Sequence, residues 1–251
     1  MNYAIEVFNR YEQKYLLTRE TFLKVNEAVK QHMEPDAHSA GDVFYPICNI
    51  YYDTEDCALI RASVAKPAYK EKLRLRSYGR AKPDDLVYLE IKKKYRGLVN
   101  KRRTAIPLSC AAEFVQTGAL PQVLPCMNRQ VMGELSYFVR THTLVPKAFV
   151  AYDRIAYFDR ETHDLRISFD RNLRARSDRL SLTSADTSVP IIKSDVYVME
   201  VKTRFAAPLW LTDLLADQGL YKQSFSKYGS FYLDALTAPA PAAQTDVKKT
   251  A

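Results

Sequence analysis

Apolar and polar positions alternate with a period of two along much of the chain. That alternation predicts strands over about residues 3–16, 45–53, 69–78, 86–96, 98–106, 147–158, 164–171 and 195–203. Helical spacing appears between them: from Thr18 and Thr21 to His32, Glu55 to Val64, Ser109 to Thr117, Leu124 to Thr143, and Pro208 to Ala235 in two pieces broken near Gly219. Arg96-Gly97-Leu98 predicts a tight hairpin turn, and Asp53-Thr54 a cap for the helix after it. The polar, turn-rich stretch 172–194 reads either as a long hairpin connection or as a mobile flap.

In a strand, residues two apart share a face, so charges at that spacing form a stripe. Within Tyr69–Tyr78, Lys70, Lys72, Arg74 and Arg76 share one face while Leu73 and Leu75 share the other. A solvated outer face is the ordinary reading of one such strand, but the pattern recurs. Glu90, Lys92 and Lys94 oppose Leu89 and Ile91; Arg10, Glu12 and Lys14 oppose Tyr11 and Tyr15; Glu200 shares a face with Lys202. Tyr152-Asp153-Arg154 and Leu165-Arg166-Ile167-Ser168 repeat the habit. A closed antiparallel barrel that turns these faces inward around a polyanion, with helices over its apolar outside, accounts for both patterns. The expected fold is therefore α+β, a closed β tunnel of about eight strands with helices packed outside. Arginine forks match phosphate oxygens bidentately, and Glu12, Glu90 and Glu200 are then either partners that orient the cations or ligands for Mg²⁺ or Mn²⁺.

Composition narrows the partner. Among 251 residues, 37 Lys and Arg face 29 Asp and Glu, a formal charge of +8 that favours nucleic acid, phosphate chains or an anionic membrane. Cations that alternate within strands, with no recognisable nucleic-acid motif, argue against nucleic acid. With only 7 glycines a glycine-rich phosphate loop is disfavoured, so side chains must do the binding. The four cysteines, Cys48, Cys57, Cys110 and Cys126, have neither zinc nor redox spacing. No apolar run is long enough to span a bilayer and the start lacks a signal-peptide pattern, so a soluble, cytoplasmic protein is expected. One domain over residues 1–237 is expected, followed by a disordered Pro/Ala-rich tail over 238–251. His32, His38, His142 and His163 read as surface or helix-end residues, and Trp210 as a packing anchor.

Nine fragments in order carry a family resemblance: R-Y-E-Q-K-Y from Arg10, I-Y-Y-D-T, K-L-R-L-R-S-Y-G, L-E-I-K-K-K, N-K-R-R, A-Y-D-R, L-R-I-S-F-D, V-M-E-V-K and F-S-K-Y ending at Tyr228. The chain resembles the triphosphate tunnel metalloenzyme superfamily, CYTH-like proteins, and within it the VTC (vacuolar transporter chaperone) polyphosphate polymerase domain. Hydrolases of that superfamily open with Glu-x-Glu-x-Lys, whereas here Arg10 stands first, ahead of Glu12 and Lys14. The resemblance implies a C-terminal helix near the tunnel and a transfer of the ATP γ-phosphate to a growing inorganic polyphosphate chain. It assigns Lys14, Arg74, Arg76, Lys92, Arg154, Arg166, Lys202, Ser226 and Lys227 to the phosphates, with Arg74, Arg76, Lys92, Arg154 and Lys227 acting in the transfer. Glu200 would hold Mn²⁺ or Mg²⁺, and at least one of Lys101, Arg102 and Arg103 would point inward. A membrane-protein partner for the product is compatible with it. The alternatives are a triphosphatase or polyphosphatase of the same fold and a non-catalytic polyphosphate-binding module.

Overall fold

The computed structural model describes residues 7–161 and 164–237, with the side chains of residues 7–10 excepted. The expected tail over 238–251, His163 and the Arg10 side chain lie outside the described residues. The strands are β1 (Val7–Leu17), β2 (Met33–Pro35), β3 (Tyr45–Asp53), β4 (Tyr69–Tyr78), β5 (Leu86–Tyr95), β6 (Leu98–Pro107), β7 (Val145–Asp159), β8 (Leu165–Arg176), β9 (Val189–Pro190) and β10 (Tyr197–Thr203). The helices are α1 (Arg19–His32), α2 (Ala58–Val64), α3 (Leu108–Thr117), α4 (Arg129–Thr141), α5 (Leu209–Asp217) and α6 (Lys227–Thr237). Strand order is β2-β7-β3-β4-β5-β6-β1-β10-β8-β9, and an additional β7–β8 pairing closes eight of these strands into a ring. Every pairing is antiparallel, so the predicted eight-stranded tunnel is the observed one. Arg96 and Gly97, both at positive φ, form the tight turn between β5 and β6.

The period-two pattern decides what each face meets. Leu73, Leu75, Leu89 and Ile91 point outward and pack beneath Phe114 of α3 and Leu135 and Phe138 of α4. Around the ring, Ile155, Ile167, Phe169, Met199 and Val201 pack beneath Phe22, Val25 and Val29 of α1 and Leu211 of α5. Trp210 anchors that layer, stacked on His32 with ring centroids 4.4 Å apart. Among the described residues, no helix is long and apolar enough to cross a membrane.

Charge lines only part of the inner surface. At Asn172, φ is +52° and the β7–β8 register shifts, so the bulge moves the next residues of β8 to the opposite face. Before it Arg166 and Asp170 point inward. Past it Leu173 and Ala175 do, and with Ile47, Ala148, Val150 and Val198 they form an apolar inner wall against Ile60 of α2 and Tyr228 of α6. Arg174 and Arg176 turn outward to Asp186. The strand thus continues beyond residue 171. The connection after it is pinned: Leu182 is buried in the α3–α4 layer, Ala81 N–H donates to the Leu182 carbonyl at 3.1 Å, and β9 pairs with β8. Of the two readings of 172–194, the hairpin connection holds.

Two helix starts also move. The Asn128 side chain accepts from Val131 N–H at 3.0 Å and so starts α4 at Arg129, leaving residues 124–128 as a turn. Between α5 and α6 lies a nine-residue strap, 218–226, in place of a break confined to Gly219. Asp53 acts as the predicted cap and more: its buried carboxylate accepts from the N–H groups of Thr54, Leu59 and Ile60 at 2.8–2.9 Å, and from the Tyr228 hydroxyl at 3.2 Å. It therefore joins β3, α2 and α6. Asp53→Ala strands those buried donors and is expected to cost about 3 kcal/mol in a denaturant melt, against less than about 1 kcal/mol for loss of an exposed pair. A cost in the exposed-pair range would show that the carboxylate is not the joint.

Candidate active site

The ring encloses a cavity of about 880 Å³. Among the described residues, fifteen lysines and arginines line it against two carboxylates, Glu12 and Glu200, so its surface charge is far from balanced. β4 supplies a ladder, Lys70, Lys72, Arg74 and Arg76, because residues two apart face the same way. All ten side chains that the family resemblance assigned to phosphates or metal (Lys14, Arg74, Arg76, Lys92, Arg154, Arg166, Glu200, Lys202, Ser226 and Lys227) converge on this one cavity, and Glu12 joins them while Glu90 does not line it. Lys101 and Arg103 line it too, while Arg102 turns away to Glu134 at 3.0 Å.

Buried carboxylates hold the arginines. Glu90, with no solvent exposure, takes Arg74 at 2.6 Å, with Lys101 at 3.6 Å and Arg76 and Arg103 at 3.9 Å. Burial pushes its pKa up, but those four cations outweigh burial and hold it well below the usual carboxylate range. Arg76 is aimed by Asn49 Oδ1 at 2.9 Å and by the Tyr152 hydroxyl at 3.0 Å. Asp170 holds Arg154 in a fork, at 2.6 and 2.8 Å, and Lys227 at 2.6 Å. Burial opposes this too, yet Arg154 and Lys227 hold Asp170 down at about 2. Asp170 and Tyr152 escaped the sequence reading, although Asp170 continues the spacing of Arg166 and Ser168. Arg166 is tied to Asp36 at 2.9 Å.

The VTC domain family model matches residues 9–233. The chain belongs to that family. No curated protein matches it. Solved structures share the fold. One is a chain from Bacillus halodurans provisionally assigned as an adenylate cyclase, 14% identical, with 88% of this chain and 96% of that one covered at a TM-score of 0.54. Another is a provisionally assigned adenylyl cyclase from Hippeastrum described as having a dominant triphosphatase activity, 17% identical, covering 90% and 96% at 0.54. At such identities the likeness is one of fold.

In this VTC domain the lysines are less well matched than the arginines. Lys92 reaches Glu12 at 2.6 Å and Lys202 reaches Glu200 at 3.1 Å. Lys14 instead donates to the Phe225 carbonyl at 2.8 Å and Lys72 to the Ser226 hydroxyl at 2.8 Å, both neutral acceptors on the strap that leads into α6. Burial, reinforced by Lys14 and Lys92, lowers the Lys72 amine from 10.5 to about 7. Burial also lowers Lys14 to about 8, Glu200 resisting, and lowers Lys202 to about 8 against Glu200 and Glu12. Burial would raise Tyr152, but Arg76, Arg154 and Lys227 bring it down to about 8.

Among the described residues no group of three or more metal-binding side chains forms. Glu12 and Glu200 sit diagonally across the β1–β10 pair, Glu12 opposite Lys202 and Lys14 opposite Glu200. Two carboxylates amid lysines fit a hard divalent cation that arrives with phosphate oxygens as its other ligands, and do not make a cage for a bare ion.

These shifts have a consequence of definite sign. From about pH 7 to about pH 9 the unfolded chain keeps protons on Lys72, Lys14, Lys202 and Tyr152 that the folded domain has released, so stability rises with pH across that window, until the Cys48 thiol and the buried tyrosines such as Tyr52, raised by burial, begin to oppose it. The melting temperature of the ligand-free domain is expected to climb between about pH 7 and about pH 9. Lys72→Met should raise it at pH 7 and flatten the climb. A melting temperature that falls over the same range would contradict the assigned lysine environments.

Proposed function

We propose that this VTC domain is a metal-dependent polyphosphate polymerase that transfers the γ-phosphoryl group of ATP to the end of a growing inorganic polyphosphate. The observation that carries the reading is the charge arrangement. The cavity is rich in cations, and its two lining carboxylates are both engaged by lysines and held ionised, with pKa values below the usual range. Such carboxylates are weak bases for activating water. A terminal phosphate oxygen needs no base, because it is already an anion and can attack directly.

In the proposed step, that oxygen forms a bond to the γ-phosphorus as the bond from the γ-phosphorus to the β–γ bridging oxygen breaks. The chain gains one phosphate and ADP leaves. Arg74 and Arg76, aimed by Glu90 and Asn49, orient donor phosphates; Arg154 and Lys227, aimed by Asp170, and Lys92 neutralise charge on the transferring group. Lys14, Lys202, Ser226 and Arg166 complete the phosphate contacts around the cavity. Glu200, helped by Glu12, would hold Mn²⁺ or Mg²⁺, which when bound supplies charge neutralisation and alignment of phosphate oxygens. Positioning and electrostatics suffice for this chemistry, in keeping with the free cysteines and with histidines that stack on Trp210, Tyr78 and Phe138.

Incubation of the purified protein with ATP and Mn²⁺, read by gel and phosphorus NMR, is expected to give long phosphate chains and ADP. Orthophosphate as the only product from ATP and tripolyphosphate, with varied metals and added primer, would transfer the assignment to a triphosphatase. Glu200→Gln keeps the shape and removes the charge a hard cation needs. Turnover should fall at least roughly ten-fold further than affinity for a preformed chain. Unchanged turnover with unchanged metal dependence would remove Glu200 from the metal role.

A further inference from the structure

One mouth of the cavity is aromatic, and the polymerase reading does not use it. The inward ladder of β4 continues past Arg76 to Tyr78, which lines the cavity together with Tyr45. Tyr78 stacks on His38 with centroids 4.4 Å apart and planes 15° from parallel, and meets Tyr45 at 6.0 Å and Tyr88 at 5.9 Å. It nevertheless keeps 39% of its surface exposed, and His38 is exposed as well. The cluster is braced from below. The buried Asp36 carboxylate accepts from the Tyr45 hydroxyl at 2.9 Å, from the backbone N–H of His38 at 3.1 Å, and from the cavity-lining Arg166 at 2.9 Å. One side chain therefore sets both the aromatic mouth and a phosphate-facing arginine.

We propose that the Tyr45–Tyr78–His38 mouth seats the base of the nucleoside triphosphate donor; this rests on the polymerase reading, in which the donor is ATP. Each step of two residues along a strand is about 6.6 Å, so Tyr78 lies one step from Arg76 and two from Arg74. A base against Tyr78 leaves the span of a ribose before the first phosphate reaches Arg76, and the later phosphates follow the ladder to Arg74 and Lys72. The far end of that ladder is different chemistry. Lys70 sits opposite Lys94, with Lys66 close enough to add its repulsion, and these cations outnumber the exposed Tyr11 that lines the same end, which suits a phosphate chain. The tunnel is thereby polar along its axis, with the nucleoside at the aromatic mouth and the polyphosphate at the lysine end. Stacking on tyrosine tolerates any base, so the seat distinguishes a nucleotide from a bare phosphate chain more than one base from another.

Calorimetric titration of the full chain with ATP and with inorganic tripolyphosphate, under one buffer and one metal concentration, tests this. Tyr78→Ala is expected to weaken ATP binding about ten-fold, the scale of one base–aromatic stack, and to leave tripolyphosphate binding unchanged. Tyr78→Phe should retain wild-type affinity for both. Equal loss for both ligands would mean that the ring only shapes Arg76, and no loss for ATP would mean that the base lies elsewhere; either overturns the seat while the phosphate cavity stands. Failure of the wild type to bind tripolyphosphate would overturn the seat and the cavity reading together. Should Tyr78→Ala not fold, the wild type titrated with 2-aminopurine riboside triphosphate decides: its fluorescence should be quenched on binding, and an unquenched bound state sinks the proposal.

Discussion

Like charges crowded into a poorly solvated interior govern the rest of this molecule. Lone buried cations are costly, and the chain offsets that cost with a few carboxylates placed where each can serve several cations. Glu90 draws in Arg74 and Arg76 from β4 and Lys101 and Arg103 from β6, while itself standing on β5 between them. Asp170 does the same for β7 and α6 through Arg154 and Lys227. Each carboxylate is outnumbered by its partners, so the arrangement neutralises enough charge to fold and leaves enough to bind an anion.

Ring closure is what makes that economy available. Cations from β1, β4, β5, β6, β7 and β10 face one space only because the β7–β8 pairing completes the barrel. The bulge at Asn172 then sets how much of the inner surface is charged. By reversing the phase of β8 it sends Arg174 and Arg176 to the outside and puts Leu173 and Ala175 inside, where α2 and α6 seal them. The cavity is consequently one-sided, a cationic wall facing an apolar one. A uniform ring of cations would have had no surface on which α6 could dock.

Sequence periodicity carried the strands and the inward stripes, since both follow from which residues share a face; turn chemistry carried the hairpin at Arg96-Gly97, and the family resemblance carried the candidate phosphate contacts. What it could not carry depends on register between distant strands or on a local phase change. Glu90 and Glu200 look alike as lone acids within cationic stripes. Only the pairing shows Glu90 encircled by four cations and Glu200 diagonal to Glu12. The end of β8 was misplaced because an αL asparagine inside a strand leaves no mark in an alternation pattern, and the start of α4 because its apolar spacing runs on ahead of the Asn128 cap. Tyr152 went unread as a cavity residue because tyrosine in a strand is ordinarily core. Its place between Arg76 and Arg154 is a tertiary fact.

The division of labour between arginine and lysine follows from these contacts. Arg74, Arg76 and Arg154 are locked by side-chain acceptors, Arg74 by Glu90 and Tyr51, Arg76 by Asn49 and Tyr152, and Arg154 in a fork on Asp170, so their orientation is set before any ligand arrives. Lys14 and Lys72 lean on a backbone carbonyl and a hydroxyl of the strap, acceptors that can be exchanged for phosphate oxygens without leaving a buried carboxylate bare. Burial also holds their amines near neutrality, so an approaching phosphate draws protons onto them and strengthens its own site. Rigidly held arginines suit the step that must be aligned in the proposed reaction, the transfer at the γ-phosphorus. Lysines of adjustable charge suit a chain that must be gripped and then shifted by one phosphate in every cycle of the proposed reaction. A cavity lined throughout by carboxylate-locked arginines would hold a polyanion in place and resist its advance.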